Sequence, residues 1–152
     1  MILKEMSRLD CLAFVAASNL GRLACIGNSR PYVVPISYAF EDRHLYSFSL
    51  EGLKVDWMRA NPSVCILVDQ VSTKRSWKSV VVDGKFEELT DTAQWRERRN
   101  HAWSLLQSSN SIWWVPGSQK PDFNNARWSS RHLFYRVNIE SVTGRQAFPG
   151  EW

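Results

Sequence analysis

A chain of 152 residues, 44% hydrophobic and 22% charged, has the size and balance of one globular domain that can bury a core of its own. That composition excludes a disordered or fibrous chain, and no apolar run is long enough to cross a bilayer as a helix. The net charge of +4 is spread evenly, nine basic against seven acidic residues in 1–76 and ten against eight in 77–152, so nucleic-acid binding, which concentrates Lys and Arg on one stripe, is not expected.

In chain order, Ser7 and Asp10 form a capping pair for a helix carrying Leu9, Leu12, Ala13 and Ala16, with Gly21 as its stop. Two β-patterned runs, Arg22 to Ile26 and Pro31 to Phe40, flank the turn Gly27-Asn28-Ser29-Arg30 and predict a hairpin. A strand from His44 to Ser49 leads into a helix from Leu53 to Ala60, which Asn61-Pro62 ends. Val64 to Val71 and Trp77 to Leu89 read as strands, the second interrupted at Asp83-Gly84 by a bulge or barrel corner. Asp91 and Gln94 open a further helix through Trp95, Trp103 and Leu106. Ile112 to Arg131, with Trp113 and Trp114, reads as a long loop, and Leu133 to Thr143 alternates as a half-buried strand. Six or so locally connected strands with few helices favour an antiparallel barrel with peripheral helices over a βαβ fold.

Eight tryptophans exceed what a core of this size hides, so some are expected at a pocket or a subunit interface, while Trp95 and Trp103, eight apart, cover one helix. Cys11, Cys25 and Cys65 are odd in number and scattered among apolar neighbours. They imply neither a disulfide framework nor a metal site, and with no signal-like segment in MILKEMSRLD they point to a reducing, cytoplasmic setting. His44, His101 and His132 are isolated, and no Walker loop, H-E-x-x-H or G-x-S-x-G is present.

One segment carries chemistry. In HLYSFSLEGLKVDWMRANP, from His44 to Pro62, a strand ending in Ser47, Phe48 and Ser49 runs through Gly52 into a helix with Lys54 in its first turn. A helix N-terminus with a glycine before it and a lysine in it is suited to a phosphate. The same residues also describe an ordinary helix capped by Ser49 with a solvated lysine, and Glu51 would repel an anion unless it turned away.

The order of LGRLACI at 20–26, RPYVVPISYAF at 30–40, LYSFSLEGLKVDWMRANPSVCILVD at 45–69, WKSVVVDGKFEEL at 77–89 and YRVNIESVTGR at 135–145 resembles the pyridoxamine 5′-phosphate oxidase-like FMN-binding split-barrel family. The resemblance implies a mainly β fold, an antiparallel Greek-key split barrel, and a homodimer with FMN at the subunit interface. By that likeness Val34, Pro35, Ile36 and Ser37 lie along the isoalloxazine, Ser47, Phe48, Ser49 and Lys54 hold the ribityl phosphate, and Trp77, Lys78 and Ser79 complete the site. It implies an oxidoreductase that passes electrons from NAD(P)H to a small acceptor, or alternatively a module that stores or senses a flavin, deazaflavin or haem. The ending TGRQAFPGEW departs from the W…RL-P type ending of the vitamin B6 oxidases. Ser47 and Phe48 stand where the nitroimidazole-resistance branch has a histidine, so neither activity is expected.

Overall fold

The structure, a computed structural model, describes residues 1–108 and 132–150. Within them eight strands form one antiparallel sheet: β1 (Ile2–Glu5), β2 (Leu20–Gly27), β3 (Arg30–Ser37), β4 (Ala39–Glu41), β5 (His44–Leu50), β6 (Ser63–Thr73), β7 (Ser76–Leu89) and β8 (His132–Phe148). Three helices, α1 (Arg8–Ala17), α2 (Leu53–Ala60) and α3 (Arg96–Ser108), pack on it. The sheet order is β3-β2-β6-β7-β8-β5-β4, with β1 added to β8.

That order explains the curvature. β3 and β4 stand at opposite ends of the path yet are separated in the chain by Tyr38 alone, so the sheet has to curl until its two ends meet. Tyr38 is fully buried; its N–H bonds the Asn19 carbonyl at 3.0 Å and its hydroxyl the Val15 carbonyl at 2.7 Å. Nearby, the Ser47 hydroxyl of β5 donates to the Ser37 carbonyl of β3 at 2.6 Å across the seam. The bend expected at Asp83-Gly84 is present as a register shift in the β7/β8 ladder. A Cβ on Gly84 would lie 2.4 Å from the Asn138 carbonyl, so only glycine allows this approach.

The barrel interior takes alternate residues of each strand, among them Leu23 and Cys25 of β2, Ile66 and Val68 of β6, Val80 and Val82 of β7 and Tyr135 and Val137 of β8. α1 contributes Cys11 and Val15 to this core, and α2 contributes Val55 and Met58. A second cluster lies under α3, where Ala102 and Leu106 meet Tyr46, Leu89 and Phe134. All three cysteines are free thiols.

Several expected boundaries shift. The predicted strand Pro31 to Phe40 is two strands, because Tyr38 turns the chain between sheet ends. Gly21 does not stop α1, which ends at Ala17 with Ser18 as its C-cap; it lies in β2, where a side chain would strike Ile66 at 2.7 Å. α3 begins at Arg96, after a turn in which the Trp95 N–H bonds the Thr92 carbonyl, so Asp91 and Gln94 do not cap it. β8 runs to Phe148, five residues beyond the expected end, because β1 pairs with its last turn of chain. The loop expected from Ile112 to Arg131 lies outside the described residues.

Candidate functional site

α2 forms because Val55 and Met58, three apart, bury one face while Trp57 lies across Gly27 of β2, whose Cβ position would fall 1.9 Å from the indole. Its N-terminus is open. Gly52 is the N-cap residue, no side chain caps the helix, and nothing lies within 4 Å of the Cβ position of Gly52. Ser49, one candidate cap, instead donates to the Leu50 carbonyl at 3.0 Å. The first helical bond runs from the Asp56 N–H to the Gly52 carbonyl, which leaves the first-turn N–H groups available to a ligand.

The charges around this N-terminus are sorted. Glu51, which would oppose an anion, is held by Arg59 through contacts of 2.9 and 3.0 Å, and that hydrogen bonding keeps its carboxyl below the usual range. Arg59 also binds Glu88 at 2.8 Å and approaches Asp56 at 3.5 Å, gathering three carboxylates onto one guanidinium. Lys54 is half-buried, and among the described residues no carboxylate pairs with it. Burial lowers its pKa, and buried Cys25 of β2 is close enough to act on its charge. A desolvated ammonium without a counter-ion gains by meeting an anion.

Strand alternation divides the other expected site residues. On β3, Ile36 joins the core and Val34 packs against it, whereas Pro35 is exposed on the outer face of an edge strand, where a proline costs no ladder bond. Ser37 and Ser47 are buried and bonded to one another at the seam. Phe48 packs with the α3 cluster, 6.4 Å from the Phe134 ring. On β7, Trp77 and Ser79 border an outer-face groove of about 540 Å³ with Glu5, Thr143 and Arg145. Lys78 points the other way, toward α1, with its Nζ 5.8 Å from the Phe14 ring.

Lys54 stands on α2 and is not among the residues lining the groove that Trp77 and Ser79 border. Among the described residues α3 covers the outer face over β4, β5 and the neighbouring ends of β8 and β7, at Phe134 and Leu89. Among the described residues no helix covers the rest of that face, where Val33 and Val71 are exposed and Ala24 and Leu67 half-buried.

A family model described as pyridoxamine 5′-phosphate oxidase matches residues 7–146. The chain belongs to that family. An uncharacterised protein of Rhizobium meliloti is 44% identical over 151 residues, 99% of each chain. The crystal structure of a FAD-binding protein of Mesorhizobium loti superposes with a TM-score of 0.80 at 46% identity, covering 97% of this chain and 99% of that one. A FAD and haem binding protein of Mycobacterium smegmatis shares the fold, with a TM-score of 0.66 at 16% identity over 98% of this chain and 77% of its own. The pyridoxamine 5′-phosphate oxidase-like split barrel expected from the motif order is thus the observed fold.

Sequence reading missed Arg59, Arg145, Thr143 and Glu5. Arg59 has a local signal, three residues after Asp56 and eight after Glu51, one and two helical turns along. Arg145 and Thr143 flank Gly144 at alternate positions of a strand read as ending too early. Glu5 belongs to a strand with no periodicity to find it by.

Proposed function

We propose that this member of the pyridoxamine 5′-phosphate oxidase family is a flavin-binding homodimer that acts as an oxidoreductase in a reducing, cytoplasmic setting. The observation that carries the flavin reading is the uncapped N-terminus of α2 with Lys54 beside it, where Arg59 engages the nearby carboxylates of Glu51 and Asp56. The resemblance implies FMN, and the Mesorhizobium loti relative is FAD-binding. Both flavins carry the ribityl phosphate that Lys54 and the first turn of α2 would meet, with Gly52 leaving room for it. When bound, a flavin supplies the redox chemistry, taking a hydride from NADH or NADPH and passing two electrons to a small acceptor.

The dimer is supported by the division of the site. Trp77 and Ser79 can complete a pocket begun at Lys54 only if a second copy brings its outer face to the first, and the uncovered part of that face provides the surface. The edge of β3 at Pro35 presents backbone groups there.

Visible absorption of the purified protein and the mass of the ligand released on denaturation test the central claim. A colourless protein that takes up neither FMN nor FAD would sink it. Lys54→Ala should weaken FMN by tenfold or more while leaving riboflavin, which lacks the phosphate, nearly unchanged; equal losses would make Lys54 structural. Rapid bleaching of the bound flavin by NADH or NADPH separates an oxidoreductase from a storage or sensing module, in which the flavin stays oxidised.

A further inference from the structure

The outer-face groove holds more chemistry than a flavin ring requires. Register places Glu5 of β1 opposite Arg145 of β8, and Arg145 opposite Ser79 of β7, so the three stand abreast on one face, roughly 5 Å from neighbour to neighbour. Two residues along β7 Trp77 forms a wall, and two residues back along β8 Thr143 adds a hydroxyl. Arg145 is exposed, and Glu5 is its direct cross-strand neighbour. Yet among the described residues no hydrogen bond or ion pair engages the side chains of Glu5, Ser79, Thr143 or Arg145. By contrast Asp69, next to Ser79 in the same row, is taken by Arg22 at 2.5 Å.

FAD differs from FMN by an adenylate, which has three recognisable parts. Its second phosphate calls for a guanidinium fork, its ribose hydroxyls for a carboxylate, and its adenine for an aromatic face. The groove presents one of each, Arg145, Glu5 and Trp77, with two hydroxyls between them, in a space of about 540 Å³. We propose that this groove holds the adenylate half of FAD, with Arg145 on its phosphate and Trp77 stacked on adenine, so that FAD rather than FMN is the resident flavin. This rests on the flavin reading and deepens it: Lys54 serves the phosphate common to both flavins, and Arg145 the phosphate found only in FAD.

The test titrates flavin-free protein with FMN and FAD, followed by flavin fluorescence, with AMP as competitor. The wild-type protein is expected to bind FAD at least tenfold more tightly than FMN, and AMP to displace FAD and not FMN. Arg145→Gln should cost FAD about tenfold while FMN changes less than twofold. Arg145 is exposed, so a thermal midpoint within a degree or two of wild type confirms that the variant is folded. A wild type without preference for FAD, or an Arg145 variant that weakens both flavins equally, would overturn the adenylate site while leaving a flavin protein in place. Failure of the wild type to bind either flavin would overturn both readings together.

Discussion

Glu51 shows how one side chain governs the use of a helix terminus. Its carboxylate is two residues before the first turn of α2, and its hydrogen bonds to Arg59 remove it from the place where a phosphate would sit. Arg59→Met should release Glu51 and lower FMN affinity roughly fivefold at low salt. Adding Glu51→Gln should restore it; a double variant as weak as the single would show that Arg59 acts otherwise. The sequence raised the question, since Glu51 beside Gly52 and Lys54 is visible in it. The answer depended on where a guanidinium two turns away, also bound to Glu88 of β7, would point. Gly84 is the opposite case, legible as a bulge from Asp83-Gly84 alone, and Gly84→Val should cost about 3 kcal/mol of stability in urea unfolding because its Cβ would enter the Asn138 carbonyl.

Elements were legible where local pattern and tertiary demand agreed. α1 is capped as expected, the Asp10 N–H bonding the Ser7 hydroxyl at 3.1 Å, and Ser7→Ala should lower stability by about 1 kcal/mol. The turns Asn28-Ser29 and Asp42-Arg43 both run through positive φ, 50° and 58° in the first and 50° and 64° in the second, the geometry that joins tight hairpins. β1 was invisible because Ile2 to Glu5 are all exposed, and the segment is a strand only because β8 offers it an edge. His44, at the start of β5, makes the stability of the fold depend on pH. Burial, with Arg136 and Arg98 nearby, lowers its pKa below the ordinary value of 6.5. An unfolded chain therefore binds the proton more readily, and the stability that neutral His44 supports is complete above about pH 6.5 and is lost as pH falls below it. Urea midpoints between pH 7 and 5 should drop more steeply for the wild type than for His44→Asn; parallel curves would remove His44 from the account.

The barrel could be read from the order of its motifs, because that order encodes which strands are neighbours. The division of the site could not. Pro35, Trp77 and Ser79 share the outer face while Lys54 stands on α2 outside their groove, and a linear reading places all of them around one ligand without showing that separation. If two copies share one site, the thermal midpoint should rise with protein concentration and with added flavin. Leu67→Lys, on the uncovered face, should yield a monomer by light scattering that has lost flavin affinity; a flavin-loaded monomer would refute the shared site. The last strand in sequence, β8, is the interior strand joining β7 to β5, so before it pairs the molecule is two fragments, β3-β2-β6-β7 and β4-β5, each with an open edge. During synthesis the barrel has to wait for its final segment. Folding should then be slow for the chain's size, and shortening β8 should produce aggregation through the bare edges of β7 and β5 rather than a smaller barrel.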